Sequence, residues 1–325
     1  MAYKSLQQCI SDLEKKGELL RITKETNPDL EMPSIHLDEF EKAGKAILFE
    51  KVKGSKFRAV SNLFGTLERS KFIFRDSLEK VKQLIELKTN PISAFKNPAK
   101  AIFTALHGIY SIPQKVRFPR SFKEIQIEDI PQLKCWKEDG GAFITLPQVY
   151  SEDVENPGIM NSNLGMYRIQ LSGNDYEQNK EVGMHYQIHR GIGVHQKKAN
   201  EKGEPLKVSV FVGGPPAHTF AAVMPLPEGM SEISFAGILG KRRFRYAKKD
   251  GFTISADADF VICGELHPNE LKPEGPFGDH LGYYSLTHDF PVMRVKKVYA
   301  KENAIWPFTV VGRPPQEDSQ FGALI

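Results

Sequence analysis

Two carboxyl groups, Glu274 and Asp279, flank Gly275-Pro276-Phe277-Gly278 inside the segment 273–284, PEGPFGDHLGYY. Glycine permits backbone conformations that a side chain forbids, and proline fixes one φ. A bent connection of this kind can bring both carboxyls to one pocket, as a regular strand or helix at that spacing would not. Two acids in unlike surroundings divide labour, one staying ionised and one held protonated. The bland alternative is a surface turn with both acids in water, and for an isolated motif that is the commoner case.

Three other segments carry candidate chemistry. In 161–170, NSNLGMYRIQ, an arginine on a strand, Arg168, lies close to polar Asn163 and could clamp a carboxylate through two parallel bonds; the commoner fate is an exposed strand face. In 181–194, EVGMHYQIHRGIGV, His185 and His189 are spaced for one helical face, but HEXXH is absent and the intervening residues suit a strand equally well. Beside them, Arg190-Gly191 can approach a phosphate closely through backbone and side chain. In 226–240, LPEGMSEISFAGILG, Glu232 opens an apolar stretch, either as a first-turn helix acid or as a hard-metal oxygen ligand. The basic run 241–249, KRRFRYAKK, interleaves aromatics, yet the Asp250-Gly251 pair after it signals a hairpin and a solvated strand rather than a nucleic-acid contact.

The elements that must position these residues fall into two groups. Leu6, Ile10 and Leu13 recur at helical spacing, with Ser5 and Gln8 as a capping-box start and Gly17 as a stop. Strand-like runs follow at 45–51 and 57–60, a helix is expected over 72–88, and another over 97–106 as a cover. Residues 1–115 thus read as a mixed α/β domain. A Pro- and charge-rich stretch, 113–132, reads as the crossing to the second domain, 116–325. There the runs are short and β-like: 142–146, 165–171, 207–213, 260–265 and 293–299. Gly/Pro punctuation between them points to an antiparallel barrel or sandwich.

Bulk properties bound the answer. The 325 residues are 40% hydrophobic and 26% charged, an ordinary globular balance, and a formal net charge of +4 excludes a dedicated nucleic-acid binder. Cys9, Cys135 and Cys263 form no CxxC, which fits a reducing, cytoplasmic compartment. The first twenty residues do not read as a signal peptide, and no apolar run approaches a membrane span. The final stretch, GRPPQEDSQFGALI, reads as if the chain stops mid-protein.

Taken together and in order, NSNLGMYR, MHYQIHRG, SEISFAG and PEGPFGDHLGYY resemble the UbiD family of decarboxylases. SNLFGTLER at 61–69, LKCWKEDGGAFITLP at 133–147 and VVGRPPQED at 310–318 extend the resemblance over nearly the whole chain. It implies an α+β fold, an N-terminal α/β domain followed by a split β-barrel that binds prenylated FMN. It implies a catalytic set of Arg168, Glu274 and Asp279. Flavin contacts are implied at Met166, Tyr167 and Arg168, at His185, Tyr186 and Gln187, and at Arg190 and Gly191. A divalent metal, Mn2+ in the typical member, is implied at Asn163 and Glu232, with His185 as a third candidate. Arg168 would orient the departing carboxylate, Glu274 would hold the guanidinium, and Asp279 would deliver the replacement proton, which calls for a desolvated carboxyl. The implied activity is reversible, non-oxidative decarboxylation of a hydroxybenzoate-like, naphthoate-like or α,β-unsaturated acid, on the way to a quinone. The implied partners are a flavin prenyltransferase and, in a full-length protein with a further C-terminal domain, further copies of the chain. An FMN-dependent flavin reductase and a non-catalytic cofactor-binding fragment are the competing expectations.

Overall fold

The computed structural model describes residues 2–79, 81, 82, 108–226 and 231–323. The first helix, Leu6–Lys16, starts where Ser5 accepts the Gln8 N–H and stops at Gly17, φ 79°. The returning arm of the cap goes one residue further back than in a capping box, from the Lys4 N–H to Gln8 Oε1 at 2.8 Å. A four-stranded sheet follows, in the order Leu19–Thr26, Ala46–Val52, Arg58–Ser61, Ile305–Phe308. Its last strand comes from the far end of the chain and runs parallel to Arg58–Ser61.

The helix expected over 72–88 lies elsewhere: it is Leu67–Ile73, opened by Thr66, whose hydroxyl accepts the Arg69 N–H. Residues 83–88, and the helix expected over 97–106, lie outside the described residues. The Pro-rich stretch 113–132 runs along sheet edges. Gln114–Lys115 pairs with Arg245–Lys249, and Phe122–Glu124 pairs with the long strand His288–Lys301.

The large sheet is antiparallel throughout. Its order is Phe143–Ile144, Ile169–Gln170, Glu181–Met184, His288–Lys301, Phe260–Glu274, Leu206–Val212, Gln148–Glu152, Ser162–Gly165. Alternate residues of Leu206–Val212 divide between two apolar cores: Leu206, Val208, Val210 and Val212 enter one, and Phe211 the other. Both faces of the sheet are therefore covered.

Connectivity dictates the shape. Ser162–Gly165 lies at one edge and Ile169–Gln170 six strand steps away, roughly 29 Å across a flat sheet. The connection is only Met166, Tyr167 and Arg168, so the chain spans at most about 14 Å. The sheet must curl until its edges approach, which gives the half-barrel its seam. A single strand was expected over 165–171. The structure breaks it because the Met166 N–H leaves the ladder for the Ala222 carbonyl, 2.8 Å away. Asp250 and Gly251, at φ 53° and 82°, turn the hairpin between Arg245–Lys249 and Phe252–Ser255 as expected.

Candidate active site

The seam places Arg168 at the centre of a polar cluster. Its Nε donates to Glu274 Oε1 and its Nη2 to Glu274 Oε2, both at 2.8 Å, a bidentate pair. Nη2 also reaches Ser285 Oγ at 3.0 Å, and the guanidinium lies over the Phe277 ring at 4.5 Å. On its remaining side, Nη1 is 3.9 Å from Asp279 Oδ2. One cation thus faces both acids of the 273–284 segment.

Glu274 ends the strand Phe260–Glu274 and is 0% exposed. Burial by itself would raise its pKa, but hydrogen bonds from His185 and Arg168 outweigh it and hold the carboxyl below the ordinary range. His185 Nδ1 lies 3.0 Å from Glu274 Oε2, and the Phe290 ring lies against the imidazole at 4.0 Å. The bent connection after Glu274 is held from outside: Gln170 Oε1 accepts the Gly275 N–H at 2.8 Å, and Asn174 Nδ2 donates to the Gly275 carbonyl at 2.8 Å. Gly275 has φ 91°, a conformation that favours glycine.

Asp279 departs from the expectation of a desolvated acid. Its side chain is 31% exposed, because it sits in a turn closed by the Asp279 N–H to Tyr283 and the Gly282 N–H to Asp279. Oδ1 accepts the His280 N–H at 2.7 Å and lies 2.5 Å from His280 Nδ1.

The residues expected to hold a metal divide. Glu232 opens the helix Glu232–Leu239, and its carboxyl comes within 3.5 Å of the Leu164 N–H, next in sequence to Asn163. Burial raises its pKa. His185 instead commits Nδ1 to Glu274. Among the described residues no three His, Cys, Asp or Glu side chains are grouped to hold an ion. Asn163 Nδ2 and Ser231 Oγ are nevertheless buried without a partner, which marks this corner as polar and unfilled.

The residues expected at a flavin line the seam and the loop beyond it. Tyr167 packs on Gly165, where a Cβ would meet its ring at 2.3 Å, and its hydroxyl is 3.4 Å from Asn163 Oδ1. Tyr186 is only 6% exposed and bonds Gln196, so its hydroxyl is directed into the core. Gln187 and Arg190 are exposed and lead into the helix Gly191–Lys202, whose N-cap Arg190 makes no side-chain cap. Gly191 lies against Asn163, where a Cβ would be 2.1 Å from Oδ1. A helix start with uncapped N–H groups beside a polar corner suits an anion. Sequence reading passed over Ser285, Phe290, Gln170 and Asn174, and took Phe277 only as a spacer. Phe277 pairs across a two-strand ladder with Ser285, and that local pairing was the one available signal.

A family model for the 3-octaprenyl-4-hydroxybenzoate carboxy-lyase Rift-related domain matches residues 112–314, and that for the corresponding N-terminal domain matches 10–88. The chain belongs to the UbiD family. Among its curated UbiD-like relatives, a 4-hydroxybenzoate decarboxylase protein of Chlamydia pneumoniae is 38% identical over 327 residues, covering 98% of this chain and 54% of that protein. An uncharacterised protein of Archaeoglobus fulgidus is 38% identical over 334 residues, covering 99% and 67%. The chain spans about half the length of the first relatives it matches, 55% for a Chlamydia caviae protein. The fold is that of solved UbiD-type structures. The vanillic acid decarboxylase of Sedimentibacter hydroxybenzoicus in closed form superposes with a TM-score of 0.84 at 23% identity, covering 99% of this chain and 67% of that one. The UbiD-class enzyme HmfF from Pelotomaculum thermopropionicum in complex with FMN gives 0.79 at 22%, covering 98% and 67%.

Proposed function

We propose that this UbiD-family chain forms the flavin-binding and reacting part of a decarboxylase that uses prenylated FMN on a hydroxybenzoate-like, naphthoate-like or α,β-unsaturated acid. The observation that carries the reading is the buried Arg168–Glu274 pair with Asp279 3.9 Å from the same guanidinium. A second UbiD-class structure, an evolved dimeric HmfF in complex with prFMN, supports the flavin class and is matched here with a TM-score of 0.79.

Loss of CO2 from an sp2 carbon leaves electron density with nowhere to delocalise, and the bound modified flavin supplies the electron sink. The chain's residues do the rest. Glu274, Ser285 and Phe277 fix the plane of the guanidinium, so the Nη1 edge of Arg168 meets and orients a substrate carboxylate. Asp279 holds the replacement proton on its carboxyl and delivers it to carbon once CO2 has gone. The N-terminus of Gly191–Lys202 and Arg190 take the flavin phosphate. Asn163 and Glu232 offer oxygen donors for Mn2+ or another divalent cation beside it, and the unpartnered Asn163 Nδ2 and Ser231 Oγ fit a polar occupant there. In the same reading the chain divides near residue 115, assembles with copies of itself, receives its cofactor from a flavin prenyltransferase, and works in the cytoplasm towards a quinone.

Purified from a host that makes prenylated FMN, the protein is expected to carry the modified flavin, read by absorbance and mass. It is also expected to release CO2 from at least one acid of a hydroxybenzoate and naphthoate panel. Unmodified FMN together with no CO2 from any acid would overturn the reading.

A further inference from the structure

The 3.9 Å between Arg168 Nη1 and Asp279 Oδ2 is longer than a hydrogen bond, so Arg168 does not itself fix where Asp279 stands. Backbone contacts do. Gly278, the residue before Asp279, gives its N–H to Asp139 Oδ1 at 2.8 Å. Asp139 Oδ2 accepts the N–H groups of Trp136 at 2.9 Å and Cys135 at 3.2 Å. The neighbouring residues of this loop make matching contacts. The Gly140 N–H donates to the Pro276 carbonyl at 2.8 Å, and the Glu138 N–H to the Tyr284 hydroxyl at 3.2 Å. The Trp136 indole lies so close that a Cβ on Gly278 would be 2.1 Å from it.

Asp139 is 4% exposed, and burial pushes its carboxyl upward despite the three N–H bonds. A carboxylate is a costly choice for a buried site unless its bonds are needed. Cys135 and Trp136 belong to its own turn and would be served equally by an exposed aspartate. The bond that requires burial is the one to Gly278.

We propose that Asp139 is a positioning residue for the decarboxylation: through the Gly278 amide it sets the placement of Asp279 against Arg168. The assignment rests on the reading of Arg168, Glu274 and Asp279 as the reacting set.

The test compares the wild type, Asp139→Asn and Glu274→Gln, each produced with a flavin prenyltransferase. Asparagine is nearly isosteric and keeps one oxygen for its own turn, but it turns an NH2 towards the Gly278 N–H. Amide exchange over residues 276–283 is expected to quicken at least about tenfold, while exchange in Gly191–Lys202 and flavin content stay at wild-type levels. With 4-hydroxybenzoate as probe, kcat is expected to fall at least about tenfold at unchanged KM. Wild-type exchange over 276–283, protection lost throughout the protein, or faster local exchange with unchanged kcat each overturns the role of Asp139. The exchange measurement decides without turnover. Full activity in Glu274→Gln instead overturns the reaction reading and leaves the loop-holding role of Asp139 to be judged by exchange alone.

Discussion

Arg168 commits Nε and Nη2 to one buried carboxylate, and such a pair is a poor device for stability alone. Desolvating two charges costs about as much as their attraction returns, whereas removing one partner leaves the other stranded. Glu274→Gln keeps the shape and removes the charge, turning an amide NH2 towards donors on Arg168 and His185. Turnover is expected to fall at least about 100-fold with flavin retained, since the guanidinium loses its orientation. The unfolding free energy is expected to drop by about 3 kcal/mol, read by chemical denaturation. The pH dependence has a definite sign. The pKa of Glu274 is depressed in the fold, so its contribution is present above the ordinary value of 4.5 and is lost as pH falls below it. The gap between wild type and variant should therefore close in acid; a gap that widens there would contradict the assignment.

At the scale of elements, Gly191 sets local propensity against packing. It is the first residue of the helix Gly191–Lys202, where alanine would favour helix by up to about 1 kcal/mol. The Asn163 carboxamide occupies the space a Cβ would need, with Oδ1 2.1 Å from it. Gly191→Ala is therefore expected to destabilise the protein, by about 1–3 kcal/mol, and to weaken flavin retention. A rise in denaturation midpoint would show that Asn163 moves aside freely. The same contrast explains what the sequence made legible. Ser5, Gly17 and the Asp250-Gly251 turn are local signals, and the structure has each where local chemistry puts it. The pair of acids across Gly-Pro-Phe-Gly was legible because its spacing is short. Ser285 is 117 positions from Arg168 and Asp139 is 139 from Gly278, so neither contact leaves a mark in spacing. The break at Met166 escaped notice because its cause, the Ala222 carbonyl, belongs to a helix that the local pattern does not reveal.

At the scale of the whole molecule, the chain closes on itself twice: once at the half-barrel seam and once where Ile305–Phe308 returns to the N-terminal sheet. Beyond that strand, Glu317 anchors the end of the chain. It is 0% exposed, and its Oε1 accepts the Phe64 N–H at 2.7 Å. His36 Nε2, equally buried, is 4.0 Å from Oε2. Burial lowers His36 to about 3, so it is neutral at working pH and offers Glu317 no charge. Burial pushes Glu317 up to about 7. An acid with a raised folded pKa weakens the fold as pH rises. Between its ordinary 4.5 and about 7 the unfolded chain gives up the proton while the fold keeps it, and above that the penalty is constant. Glu317→Gln fixes the protonated shape, with an NH2 placed to donate towards His36. It is expected to be more stable than wild type at pH 8 by about 3 kcal/mol and equal to it near pH 4. Asp259, also raised to about 6, and the buried histidines titrate in both proteins, so the difference between the two denaturation curves isolates Glu317. A variant that parallels the wild type across that range, or loses stability at pH 8, would mean that Glu317 is ionised in the fold and held by Arg69, whose charge already opposes the upward shift.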